Sequence, residues 1–145
     1  MVDVTEKPEL YREASARGRI RLRRETVEMI RAGEVKKGDV LTVARVAAVQ
    51  AVKETHRSIL LCHPIRVTSV DVDFSMGEDW VEVLVKVKAI AQTGVEMEAL
   101  NGAAAALLNI WDMVKYLEKD ESGNYPHTRI EELRVERKVK SVANR

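Results

Sequence analysis

The sequence contains very few residues of the types that form cross-links, ligate metals or stack on bases. Its single cysteine, Cys62, excludes an internal disulfide bond. Three histidines accompany that cysteine, and no pair of these residues has the CxxC, HxxxH or HExxH spacing of a zinc site. Aromatic residues make up 4% of the chain, which leaves no apparent platform for stacking nucleic-acid bases. We therefore expect neither a metal site nor a base-stacking surface.

Charge of one sign and long apolar runs are also missing. The chain has 24 Lys and Arg against 23 Asp and Glu, and this near-zero balance argues against a general nucleic-acid or membrane binder. The run of small apolar residues at 103–108 is far shorter than the roughly 18 residues that a membrane span needs. Residues 1–10 lack the basic and then apolar pattern of a signal peptide. We expect a soluble, cytoplasmic protein.

The residues that are present suit one folded domain. A chain of 145 residues that is 46% hydrophobic and 32% charged can bury a single core and is too apolar to be disordered. The chain contains no GxGxxG and no GxxxxGK[ST] stretch, so neither standard phosphate-binding loop is available.

Patterns along the chain predict an α+β fold over residues 1–145. Val81, Val83, Val85 and Val87 alternate with polar residues, and the turn at 77–79 joins this strand to another at 68–74 as an antiparallel hairpin. The other expected segments are an extended arm at 1–18, a short strand at 19–22, helices at 25–32, 40–57 and 95–119, a strand at 129–139 and a basic, mobile tail at 137–145. This order favours a ferredoxin-like arrangement, with helices packed on one face of an antiparallel sheet.

Polar residues at loops and element ends are the first candidates for chemistry. His63 stands before Pro64 at a forced chain break, where an ordinary loop histidine is favoured over a proton-transfer group. Glu96 and Glu98 flank Met97 where the long helix begins. Such acids complement a helix N-terminus, or they accept the N–H groups of a guanine or pterin edge.

Asp112 and Lys115 stand three residues apart on the long helix, and Asp112 follows Glu98 by fourteen residues on roughly the same face. A solvated ion pair and a catalytic acid–base pair are equally compatible with this spacing. A set of basic residues has three possible interpretations: a solvated surface, a nucleic-acid site or a polyphosphate site. Its members are Arg12, Arg17, Arg19, Arg21, Arg23, Arg24, Lys36, Lys37, Lys138 and Lys140.

Six stretches in this order resemble the MoaC family, the cyclic pyranopterin monophosphate synthases of molybdenum cofactor biosynthesis. They extend over most of the chain, and the LCHP and TGVEMEAL motifs are the most specific. The stretches are Met1–Thr5, Lys37–Val40, Ala44–Ala47, Leu61–Pro64, Gln92–Leu100 and Asp112–Lys115.

The resemblance implies a ferredoxin-like fold in a homohexamer, a trimer of dimers, with active sites between subunits. It implies a lyase that takes cyclised dihydroguanosine triphosphate from a radical S-adenosylmethionine enzyme, MoaA, and converts it to cyclic pyranopterin monophosphate with release of pyrophosphate. No redox cofactor is implied. Mg²⁺ accompanying the triphosphate stays open, because no dedicated set of ligands is visible.

The resemblance also implies ten site residues. Three are expected to be catalytic, namely Lys37, Asp112 and Lys115, and seven to bind substrate, namely Arg12, Cys62, His63, Glu96, Met97, Glu98 and Lys138. The family pattern has glycines in the C-terminal stretch, and this chain has none at 138–142, so the choice between Lys138 and Lys140 stays open.

The alternative is a non-catalytic module that binds nucleotide or nucleic acid through the basic N-terminal arm.

Overall fold

Four strands form one antiparallel sheet in a computed structural model that describes residues 1–142. The strands are β1 (Leu10–Arg21), β2 (Val67–Met76), β3 (Trp80–Ala91) and β4 (Arg129–Ser141). The helices are α1 (Arg24–Ala32), α2 (Val40–Lys53), α3 (Thr55–Ser58) and α4 (Glu96–Glu118). The α+β expectation is confirmed.

The strand order is β2-β3-β1-β4, so each long connection crosses over one intervening strand. Along the chain the order is βαββαβ, if the three helices between β1 and β2 are counted as one helical segment. Because β3 lies between β1 and β2 in the sheet, this is a split β-α-β arrangement. No helix in residues 1–142 is long and apolar enough to cross a membrane.

The alternation in β3 is confirmed by burial. Val81, Val83, Val85 and Val87 are each 0% exposed, and the residues between them lie on the opposite face. The predicted hairpin is also confirmed, since β2 pairs antiparallel with β3 from Val67 to Met76. The apolar face of β3 therefore forms the floor on which the helices pack.

The expected arm at 1–18 is wrong over its second half, because β1 begins at Leu10. Residues 10–18 contain few β-branched side chains, so their own preference for a strand is weak. They form a strand because β1 pairs with both β3 and β4, which buries Ala14 and Ala16.

Two other boundaries differ from the prediction. The helix expected at 40–57 is interrupted at Glu54, where α2 ends and α3 begins with Thr55. The expected C-terminal tail lies in β4 as far as Ser141, and its residues 143–145 lie outside the described residues. Pairing with β1 orders this basic stretch, an effect that its composition does not reveal.

Helix α1 begins without a capping side chain of its own, and the carboxylate of Glu118 takes that place. Glu118 is 0% exposed at the end of α4 and accepts hydrogen bonds from the Arg23 amide at 3.0 Å and the hydroxyls of Thr26 and Thr128 at 2.5 and 2.7 Å. A negative charge beside the N-terminus of α1 is electrostatically favourable. One buried carboxylate thus joins α1, α4 and the loop before β4.

Close packing holds α4 against both α2 and the sheet. A Cβ atom built at Gly102 would lie 2.6 Å from Val52 Cγ2 in α2, 3.2 Å from Val85 Cγ1 in β3 and 3.3 Å from the Ala48 carbonyl oxygen. Ala99, Ala103 and Ala106 are fully buried on the same helix. Small side chains let the backbones approach, so the position of α4 against α2 and the sheet is fixed.

We predict that Gly102→Ala lowers the free energy of unfolding. Removing a helical glycine gains about 1 kcal/mol, while overpacking against the stiff Val52 side chain costs about 1–3 kcal/mol. Urea unfolding should show a net loss of about 1 kcal/mol, and the same substitution in a Val52→Ala background should cost less. An equal loss in both backgrounds, or a more stable Gly102→Ala protein, contradicts the packing argument.

Candidate functional site

The first turn of α4 and three other segments line an open cavity of about 320 Å³, which we call the carboxylate cavity. The three segments are the N-terminal stretch, the loop before β2 and the connection from β3 to α4. The α4 turn follows directly on the end of β3, and Gly94 in the connection leaves room for the Glu96 carboxylate, which a Cβ atom there would overlap. The lining residues are Val2, Val4, Lys7, Leu61, Cys62, His63, Ile65, Thr93, Gly94, Glu96, Met97 and Glu98.

Two cations lie beside Glu96. Lys138 Nζ on β4 is 2.5 Å from Glu96 Oε1, and the buried Arg12 side chain on β1 donates to the carbonyls of Ala91 and Gln92 at 3.4 and 3.1 Å. Burial alone would raise the pKa of Glu96, but Lys138, the helix amide and Arg12 together lower it. Lys138 therefore reaches the cavity through its ion pair with Glu96, although it is not one of the lining residues.

Glu98 has a different environment although it lies only two residues further along α4. It is 4% exposed and forms no salt bridge with any of residues 1–142. Burial raises the pKa of Glu98, and the neighbouring charge of Glu96 adds to that rise. Burial also raises the pKa of the Cys62 thiol, with the charges of Glu98 and Glu96 contributing.

The N-terminal segment closes one side of the carboxylate cavity. His63 Nε2 lies 2.7 Å from the Val2 carbonyl oxygen, and the Gln92 side-chain amide donates to the Lys7 carbonyl at 3.2 Å. Val2, Lys7 and Thr93 were not among the predicted site residues. The motifs Met1–Thr5 and Gln92–Leu100 contain Val2 and Thr93, whereas Lys7 lies outside every motif. Only the tertiary structure shows that these segments meet.

The three residues expected to be catalytic lie together elsewhere, and we call them the lysine cluster. Lys37 Nζ donates to Asp112 Oδ2 and to the Asp112 carbonyl, both at 3.1 Å, and Lys115 Nζ is 2.9 Å from Asp112 Oδ1. The two lysines hold the pKa of Asp112 below its ordinary value, while Asp112 raises the pKa of Lys115. The three side chains are 40–59% exposed. This is a solvent-facing set and not a buried lysine with a lowered pKa.

The carboxylate cavity and the lysine cluster lie at opposite ends of α4. Glu98 and Asp112 are fourteen residues apart on the helix, which corresponds to about 21 Å along its axis at 1.5 Å per residue. The sequence predicts that Glu98 and Asp112 lie on roughly the same face of the helix, but this does not bring them close together. Their surroundings also differ, since Glu98 is buried and the Asp112 side chain is 59% exposed. Within one chain, Lys37 therefore lies with Asp112 and far from His63 and Arg12.

The arginines of β1 do not form a free basic arm. Arg17 pairs with Glu82 at 2.6 Å and with Glu136 at 2.7 Å, and Arg21 pairs with Glu131 at 2.5 Å and with Asp79 at 3.1 Å. Neutralised cations attract a polyanion weakly. The arm-based nucleic-acid alternative loses its main support.

The described part of the chain contains no group of three or more His, Cys, Asp or Glu residues that could hold a metal ion. What the two clusters offer is acceptor oxygens for N–H donors in a partly apolar cavity, cations for phosphate oxygens, and ammonium groups that can exchange protons.

Comparison with known proteins gives a consistent result. The statistical profile of the MoaC family matches residues 1–141. A Pyrococcus furiosus protein named "Probable cyclic pyranopterin monophosphate synthase" is 56% identical over 140 residues, which cover 97% of this chain and 90% of that protein. A Methanosarcina mazei protein of the same name is 54% identical over 143 residues, covering 99% of this chain and 91% of that protein.

We predict that Cys62 ionises at higher pH in the folded protein than in the unfolded chain, because burial and two carboxylates disfavour its thiolate. The pH midpoint of iodoacetamide alkylation should be higher without urea than in urea, and Glu98→Gln should lower the midpoint of the folded protein. Since the chain has one cysteine, the label reports this thiol alone. A midpoint that does not differ between folded and unfolded protein contradicts the assignment.

Proposed function

The chain belongs to the MoaC family, and from that membership we propose that it is a cyclic pyranopterin monophosphate synthase of molybdenum cofactor biosynthesis. In this proposal it is a lyase that rearranges cyclised dihydroguanosine triphosphate, made from GTP by the radical enzyme MoaA, and releases pyrophosphate. The observation that carries the proposal is the carboxylate cavity, which brings the LCHP and TGVEMEAL motifs together around two glutamates of unlike pKa.

We assign the base of the substrate to the carboxylate cavity. The N–H groups along one edge of a guanine or pterin need acceptor oxygens, and Glu96 and Glu98 supply them on either side of Met97. The partly buried position of this pair strengthens such hydrogen bonds, because water competes less for the carboxylates. Cys62 also lines this cavity, where its side chain would add apolar contact with the bound base.

The cations beside the cavity fit the phosphate groups. Arg12 and Lys138 lie next to Glu96, and His63 lines the same space. Several cations from separate segments can neutralise a triphosphate and the pyrophosphate that leaves. Contact with the substrate requires Lys138 to exchange its Glu96 partner, or to bridge Glu96 and a phosphate.

The lysine cluster supplies proton transfer in this scheme. Opening and closing a ring requires one group to give a proton and another to accept one. Asp112 lies between the Lys37 and Lys115 ammonium groups, so the cluster can hold and exchange a proton at either lysine.

One chain cannot bring both clusters to one substrate ring, because about 21 Å of helix separates them. We propose that the cavity of one subunit and the lysine cluster of another form each site, in a homohexamer built as a trimer of dimers. Leu60 and Leu61 support an assembled form: they are 80% and 71% exposed beside the cavity, and contact with another subunit would bury them.

No redox cofactor enters this proposal, since a rearrangement with loss of pyrophosphate needs no net electron transfer. Mg²⁺ would arrive with the triphosphate, held by its oxygens and by water.

Purified protein given substrate generated in place from GTP by the radical partner should release pyrophosphate and form a pterin that becomes fluorescent on oxidation. Lys115→Ala should lower kcat by about 100-fold or more, because it removes a proton-transfer group. Lys119→Ala, directly after the C-terminal residue of α4, is the matched control and should retain wild-type turnover. No product from the wild type contradicts the synthase assignment, and near-normal turnover by Lys115→Ala contradicts the role of Lys115.

A further inference from the structure

Two contacts on one face of α4 hold the loop that joins α1 to α2. The amide of Lys36 donates to the Tyr116 hydroxyl at 2.7 Å, and the next residue, Lys37, donates from Nζ to Asp112. Tyr116 follows Asp112 by four residues, so both contacts lie on the same side of the helix. Two neighbouring loop residues thus contact α4, Lys36 through its backbone amide and Lys37 through its side chain.

The ion pair by itself is a weak constraint on Lys37. The Lys37 and Asp112 side chains are 43% and 59% exposed, and water and salt screen an exposed pair of this kind, so it contributes little. A lysine side chain also loses rotamer freedom when it is held in one position. The position of Lys37 must therefore come mainly from the backbone that carries it.

The loop backbone has few other attachments near Lys37. Val35 is buried, and the amide of Gly38 closes a turn on the Val35 carbonyl at 3.1 Å. Gly38 has a φ of 121°, a conformation that glycine adopts without the steric cost that a side chain would add. Between these two points, the hydrogen bond from the Lys36 amide to the Tyr116 hydroxyl attaches the loop backbone to α4, whereas Lys37 reaches α4 through its side chain.

We propose that Tyr116 is a positioning residue for Lys37: its hydroxyl accepts the Lys36 amide and so fixes the lysine side chain against Asp112. This inference rests on the proposed function, in which Lys37 belongs to the proton-transfer cluster. Pre-organising a catalytic side chain raises turnover without changing how tightly the distant carboxylate cavity holds the substrate.

The phenol ring does not depend on its hydroxyl for packing, because Tyr116 is 41% exposed and the hydrogen bond lies at the surface. Tyr116→Phe therefore keeps the ring and removes only the acceptor. Water can solvate the freed amide, so the melting temperature should change little. Tyr11→Phe is the matched control, since the Tyr11 hydroxyl donates to Glu13 on β1.

The test measures kcat, KM and amide hydrogen exchange for wild type, Tyr116→Phe and Tyr11→Phe. Tyr116→Phe should lower kcat about 3- to 10-fold with KM within about twofold, and exchange at Lys36 should become faster. Tyr11→Phe should match the wild type in all three.

An unchanged kcat in Tyr116→Phe overturns the inference. A kcat loss that is accompanied by a lower melting temperature, or that Tyr11→Phe shows as well, also overturns it. Unchanged exchange at Lys36 overturns it as well. An inactive wild type overturns the proposed function instead, and faster exchange at Lys36 in that case shows that the loop contact exists without that function.

Discussion

The packing of α4 against both α2 and the sheet is the constraint on which the rest of the molecule depends. At Gly102 a single added methyl group would overlap Val52 and press tightly on Val85. The helix cannot slide or rotate without losing this fit, so everything at its two ends has a set position. Glu96 and Glu98 stand at one end, and Asp112 and Lys115 stand at the other.

Because α4 holds the two clusters about 21 Å apart, the proposed site needs a second subunit to complete it. In the proposed function the carboxylate cavity supplies acceptors and the cations for phosphate, while the lysine cluster supplies groups that move protons. The two have opposite physical settings, one partly buried and one open to solvent. We propose that contact between subunits encloses the lysine cluster and makes its proton transfer effective, since water exclusion strengthens electrostatic interactions.

Local patterns predicted those parts of the fold that local physics determines. The strict alternation of β3 and the long apolar pattern of α4 were visible in the chain. The strand at Leu10–Arg21 was missed over most of its length because pairing on both sides, and not its own residues, makes it a strand. The buried carboxylate of Glu118 was equally invisible, since its partners lie 10 to 95 residues away. For the site, the motifs supplied the candidate residues, but their division into two clusters and the contact of Lys36 with Tyr116 required the tertiary structure.

We propose that each active site combines two subunits, and subunit mixing tests this directly. Lys115→Ala and Glu98→Ala chains, each purified alone, should form assemblies with little turnover, and co-expression should give mixed assemblies. If the two clusters come from different chains, about one quarter of the sites in an equal mixture carry neither substitution, and turnover should recover to about that fraction of wild type. Mixed assemblies that stay as inactive as either parent would contradict the claim and would place both clusters' functions within one chain.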